Sequence, residues 1–235
     1  MNIRTKPLLL GLGALIIVGI IWSLTGPNGF QDDGITKGKT WFGQVNEENI
    51  DLSEEVLAQW NIQLQTAIAS YKAKEDMGVL NNIGSLYLSL GQFAKAREVM
   101  EIYLTKNTIN DAAYVLYGDI LVRMEDWKGA NTAYLKAVEL SGINEQLAYK
   151  METLWREHMP ERISNIKGLY EAAIAYDGQK KFYMVQLGRW YAEQGDFANA
   201  ASHLKVAVTL NPDNKDLKKE MEEYEQKARE QELNQ

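Results

Sequence analysis

Residues 77–90, MGVLNNIGSLYLSL, decide how the chain is read, because their apolar frame returns at 111–124, DAAYVLYGDILVRM, and at 181–194, KFYMVQLGRWYAEQ. In the first, Leu80, Ile83, Gly84 and Tyr87 form the frame. Tyr114, Tyr117, Gly118 and Leu121 repeat it, as do Met184, Leu187, Gly188 and Tyr191. Their spacing is that of one face of a helix. Twelve residues after each glycine stands an alanine (Ala96, Ala130, Ala200), and four further on a large residue (Met100, Tyr134, Leu204). A glycine inside an exposed helix costs about 1 kcal/mol relative to alanine. Its return at fixed places therefore asks for helices that approach closely. The alanines are expected to meet the glycines across each pair, with Ala137 and Ala207 admitting the next pair and Phe93, Trp127 and Phe197 wedged near the turns.

Gly84 and Gly118 are 34 residues apart, and an interval of that length with this frame resembles the tetratricopeptide repeat, a helix-turn-helix unit. The resemblance implies an all-α solenoid with units at 77–110, 111–144, 145–180 and 181–214. Helices of about a dozen residues do not hold their shape alone in water, so such units survive by packing on one another. Terminal units need covers. Residues 51–76 supply one: Asp51 is placed to cap the first turn with Glu54, and Val56, Trp60, Leu64, Ala67, Ile68 and Tyr71 follow at helical spacing. Residues 215–235 supply the other, through Leu217, Met221, Tyr224 and Ala228, with a short coiled-coil arm as the alternative.

The third unit departs from the frame. Ala148, Met151 and Trp155 fit, but Glu152 stands where the others have glycine, and Ile166, Tyr170 and Ala173 fit after a two-residue insertion near Pro160. A glutamate cannot accept the same helix contact, so this pair is expected to be splayed.

Ahead of the repeats, residues 7–25, PLLLGLGALIIVGIIWSLT, carry no charge and are about as long as a bilayer core requires. Arg4 and Lys6 precede the run and Asp32 and Asp33 follow it. The positive-inside rule then keeps the amino terminus in the cytoplasm and places the rest outside. Residues 1–26 are read as an uncleaved transmembrane signal anchor. A cleaved signal peptide is the competing reading, although no small-residue cleavage site is evident. Residues 27–50 form a flexible linker, in which Trp41 and Phe42 are suited either to the membrane interface or to docking on the helices.

Of 25 lysines and arginines, all but Arg4 and Lys6 lie beyond the anchor, as do all 32 acidic residues, which leaves that part at −9. Such a surface does not neutralise phosphates, and nucleic acid is not an expected partner. Without cysteine the chain has no disulfide and no thiolate chemistry. His158 with Glu157 and Glu161 is the one compact set of acid, base or metal groups, read as a solvated corner between helices. His203 reads as a surface or half-buried side chain. Neither an enzyme nor a bound cofactor is expected.

The resemblance implies that first helices line a concave groove for a peptide. The corresponding positions are Asn81, Ser85, Asp119, Arg123, Tyr149, Lys150, Thr153, Arg156, Phe182 and Arg189. They hold more base than acid, which suggests a carboxylate-bearing partner. Asp119 with Arg123, and Glu152 with Arg156, are also spaced to pair along one helix. The sequence thus points to a membrane-anchored adaptor that holds a partner protein to support assembly of a complex. Two alternatives are a factor presenting an apoprotein for cytochrome c maturation and a self-assembling structural repeat protein. An anchor followed by repeats is similar in plan to bacterial inner-membrane assembly factors.

Overall fold

The computed structural model describes residues 53–234, so the expected anchor, linker and Asp51 cap lie outside the described residues. Among the described residues there are ten α-helices and one 3-10 helix, with no strand. None of these helices is long and apolar enough to cross a membrane. The chain divides into two compact units that meet between Ser141 and Gly142.

The first unit contains α1 (Glu54–Lys74), α2 (Met77–Ser89), α3 (Phe93–Lys106), α4 (Asp111–Arg123) and α5 (Trp127–Ser141). Helices α1, α2 and α4 begin where a short polar side chain accepts from an unpaired backbone N–H. Ser53 caps α1 from Val56, Asp76 caps α2 from Gly78, and Asn110 caps α4 from Ala113. Ser53 therefore begins the first helix. From there α1 lays Leu64 and Ala67 against α2, α2 pairs with α3, α4 pairs with α5, and α3 packs on α4.

The glycine frame works as a socket, and its plug differs from the expected one. A Cβ on Gly84 would lie 2.6 Å from Met100 Sδ, and one on Gly118 would lie 2.6 Å from Cδ1 of Tyr134. The large residue four beyond each alanine thus fills the space that glycine leaves. Ala96 and Ala130 are fully buried beside it, and Ala96 offers its carbonyl oxygen at 3.9 Å. Tyr134, once seated, donates to Asp119 at 2.7 Å. Phe93 at the start of α3 lies under the guanidinium of Arg123 on α4, 5.5 Å from ring centre. Its ring therefore also serves the next pair.

The second unit contains α6 (Glu145–His158), a 3-10 helix (Pro160–Asn165), α7 (Ile166–Asp177), α8 (Lys181–Glu193), α9 (Phe197–Leu210) and α10 (Lys215–Leu233). Asn144, Asp196 and Asn214 cap α6, α9 and α10. Gly188 follows the socket rule, with Leu204 and the Ala200 carbonyl 3.1 Å from where its Cβ would be. Ala207 closes a small core with Met184, Leu204 and Leu217, which fixes α10 on α8 and α9. Phe197 stacks on Tyr224 of α10, 5.9 Å between ring centres. Residues 215–233 thus pack one side on α8 and α9.

The irregular pair has a local cause. Seven residues beyond Gly84, Gly118 and Gly188, the paired helices turn through a left-handed residue: Gly91 (φ 70°), Glu125 (φ 59°) and Gly195 (φ 77°). At the same place after Glu152 stands Met159 with φ −135°, and the chain enters the 3-10 helix that begins at Pro160. Proline fixes φ and removes a donor, so the tight turn is replaced by a longer connection. The two-residue insertion falls there. As a result α6 and α7 face each other over less of their length than the other pairs.

A candidate partner-binding face

Within the second unit, side chains of α6 and α8 meet at two points. At one end Tyr149 meets Phe182 edge-on at 6.4 Å, and Phe182 in turn packs edge-on against Tyr170 and Tyr183. Tyr149 remains 56% exposed. At the other end Arg156 Nη1 reaches Glu193 Oε2 on α8 at 3.0 Å. Tyr149, Thr153 and Arg156 are spaced four and three residues apart, so they follow one side of α6. Phe182, Gln186, Arg189 and Glu193 do the same on α8.

Under this face lies a buried carboxylate. Glu152 is 6% exposed in the place that glycine takes elsewhere. Tyr170, the counterpart of Met100, Tyr134 and Leu204, is fully buried and donates its phenolic hydrogen to Glu152 Oε2. Burial first, then this bond, push the Tyr170 phenol well above its ordinary pKa, so it stays a donor. The other oxygen, Oε1, accepts from Arg156 Nε at 2.7 Å. A buried charge needs such partners. The glutamate thus enters the socket by trading apolar contact for two hydrogen bonds.

Arg189, the other arginine of the face, makes a two-pronged pair with Glu220 of α10, with both N–O distances 2.9 Å. That pairing holds the Glu220 carboxyl below its ordinary pKa, against partial burial that would raise it. Arg156 thus faces two carboxylates and Arg189 one.

The remaining candidates fall as follows. Lys150 and Thr153 are half-buried on α6. In the first unit, Asn81 is half-buried, and its Oδ1 accepts no hydrogen bond from the protein. Ser85 is exposed, Asp119 accepts from Tyr134, and Arg123 covers Phe93. The structure therefore brings Tyr149 to Phe182 and Arg156 to Glu193 between α6 and α8, Thr153 and Arg189 follow the same side of their helices by spacing, and Asn81, Ser85, Asp119 and Arg123 belong to the first unit. Glu193 and Glu220 were not legible as members. Glu193 stands four residues after Arg189, a spacing that predicts a pair within α8, whereas its carboxylate reaches Arg156.

The histidines lie apart from this face's aromatic end. His158, on the exposed last turn of α6, has Nε2 3.6 Å from Glu157 Oε2, and Glu161 belongs to the 3-10 helix. His203 stacks on Tyr191 at 5.3 Å, with Lys167 over the same tyrosine.

Comparison with known proteins agrees with the helical repeat fold. Tetratricopeptide repeat profiles match residues 78–101 and 184–218. BBSome complex member BBS4 of Bos taurus is 27% identical over 142 residues, 57% of this chain and 25% of that protein, so the chain spans about a quarter of that relative. The crystal structure of MamA superposes with TM-score 0.56 at 17% identity, covering 67% of this chain and 92% of MamA. MamA from Desulfovibrio magneticus RS-1 gives 0.54 at 18%, covering 68% and 92%. YrrB, described as a TPR protein with an unusual peptide-binding site, gives 0.51 at 19%, covering 64% and 77%. In its described residues the chain is an all-α protein that carries tetratricopeptide repeats.

Proposed function

We propose that this protein is a non-enzymatic adaptor that receives a segment of a partner protein on the face of α6 and α8 and supports assembly of a membrane-associated complex. The observation that carries the reading is Tyr149, a large ring left 56% exposed yet braced by Phe182. Aromatic rings and arginine are residue types enriched where protein interfaces gain most of their binding energy. YrrB, with its peptide-binding site, and BBS4, a member of a complex, are in keeping with it. Presentation of an apoprotein is a narrower form of the same role.

The proposal includes anchorage through residues 7–25, with the repeats outside the cytoplasm of a bacterial inner membrane. The uncharged run and the basic residues ahead of it support this. Protease added to spheroplasts should remove the repeats, and protection would reverse the orientation.

A photoreactive residue at position 149 of the full chain tests the binding role, with position 171, exposed on α7, as control. The expected result is a defined partner crosslinked from 149 and absent from 171, whose purified form loses binding on Tyr149→Ala. Crosslinks only between copies of this chain would favour self-assembly instead.

A further inference from the structure

The first and last described helices are covers of opposite character. Twelve of the nineteen residues of α10 are charged, which gives it the wet outer side that the end of a row of repeats needs. From Val56 to Tyr71, α1 carries no charged residue. Its buried stripe accounts for only part of that run. Leu64 and Ala67 face α2, whereas Ala58, Ile62, Gln65, Thr66, Ala69 and Ala73 follow the opposite side at helical spacing and are exposed. Ile62, the large apolar residue among them, is 67% exposed. Thr66 donates its hydroxyl hydrogen to the Ile62 carbonyl oxygen at 2.8 Å, so covering this side leaves that donor paired.

The ends of the helix say what covers it. Glu54 and Glu55 stand in the first turn of α1, and Lys72 and Lys74 in the last. Two copies of α1 laid antiparallel bring the acidic end of each to the basic end of the other and oppose their dipoles, whereas a parallel pair sets like charges together. The antiparallel arrangement also matches shapes. With a two-fold axis between Gln65 and Thr66, Ile62 of one copy comes opposite Ala69 of the other, and Ala58 opposite Ala73. Each large side chain then meets a small one. We propose that the outer side of α1 pairs in this register with α1 of a second copy of this chain, forming a symmetric dimer. The pairing uses the first unit and does not rest on partner binding at Tyr149.

Because the chain has no native cysteine, introduced thiols report the register directly. Full chains carrying Ile62→Cys and Ala69→Cys are produced together with different tags and oxidised mildly. The expected product is a disulfide between the two variants, with at least about tenfold less between copies of either one alone. Equal positions would lie about 10 Å apart along the helices at ~1.5 Å per residue, and a disulfide needs Cα atoms within about 7 Å. Ile62→Glu, at an exposed place, should leave the thermal melt unchanged. It should weaken self-association of the full chain in detergent about tenfold or more, read by sedimentation, since pairing would bury a charge. Linkage between equal positions would mean a parallel pair, and no linkage in any combination would mean no pair; either overturns the inference, as would sedimentation indifferent to Ile62→Glu. A photoreactive residue at position 62 that labels only lipid, or only residues 27–50 of its own chain, would assign α1 a different cover and overturn it too.

Discussion

Tyr170 donates its phenolic hydrogen to Glu152 at the one helix pair that lacks the socket glycine. The two residues replace each other's expected roles: the glutamate occupies the socket, and the ring that would have filled the socket becomes its hydrogen-bond donor. A carboxylate 6% exposed that loses such a donor has no water to turn to.

Tyr170→Phe should consequently lower stability by about 1–3 kcal/mol, the range for leaving a buried acceptor short. Tyr134→Phe removes a bond of the same chemistry, but its acceptor, Asp119, is half-buried and can take up solvent. Its loss should be the smaller of the two. Urea titration of both variants ranks them, and equal losses would mean that Glu152 is rehydrated when Tyr170 is removed.

The socket also predicts an order among glycine substitutions. Gly118→Ala drives a methyl group into the Tyr134 ring, which is tied to Asp119 and has little room to retreat. It should cost about 1–3 kcal/mol through overpacking. Gly84→Ala meets the flexible end of Met100 and should cost less. Gly168, inside α7, has nothing within 4 Å of its missing Cβ. Gly168→Ala should stabilise by roughly 0.4–1 kcal/mol, since it removes freedom from the unfolded chain. Melting temperatures of the three variants should fall on both sides of the parent.

How much of this the sequence disclosed depends on what set each feature. Helix positions and the glycine frame were legible because spacing alone encodes them: Leu80, Ile83 and Gly84 must share a face whatever they touch. The identity of the plug was not. Ala96 and Met100 are one turn apart on the same side of α3, and only side-chain length decides which enters the socket. The splaying of α6 and α7 was legible from Glu152 and Pro160, whereas the buried bond that makes Glu152 tolerable needed the distance between two helices. The face suffered most. The pairing of Arg156 with Glu152 was legible from their spacing, whereas Glu193 and Glu220 come from other helices that sequence spacing cannot place.

His203 gives the second unit a pH dependence whose sign follows from its surroundings. Half-burial against Tyr191 lowers its pKa from the ordinary 6.5, Glu171 opposes this, and Lys167 adds to it. Folded protein then binds fewer protons at this site than unfolded chain does. Its contribution is full stability above pH 6.5 and a progressive loss as pH falls below 6.5 towards the depressed value. His203→Phe keeps a ring beside Tyr191 and removes the proton. Between pH 7.5 and 5.5 the variant should lose less stability than the parent, and parallel losses would exclude His203 as the cause.

The attachment of α10 should be governed by its apolar contact and only weakly by its ion pair. Leu217 is 4% exposed within the core of Met184, Leu204 and Ala207, and truncating a buried leucine costs about 2–5 kcal/mol. Arg189 and Glu220 make two short bonds, yet the arginine side chain is 50% exposed, which limits the pair to under about 1 kcal/mol. Leu217→Ala should therefore raise amide exchange throughout 215–233, whereas Glu220→Gln should leave most of that protection in place. The reverse order would mean that the helix is held by charge, in which case moderate salt would release it and the face beside Arg189 would widen with ionic strength.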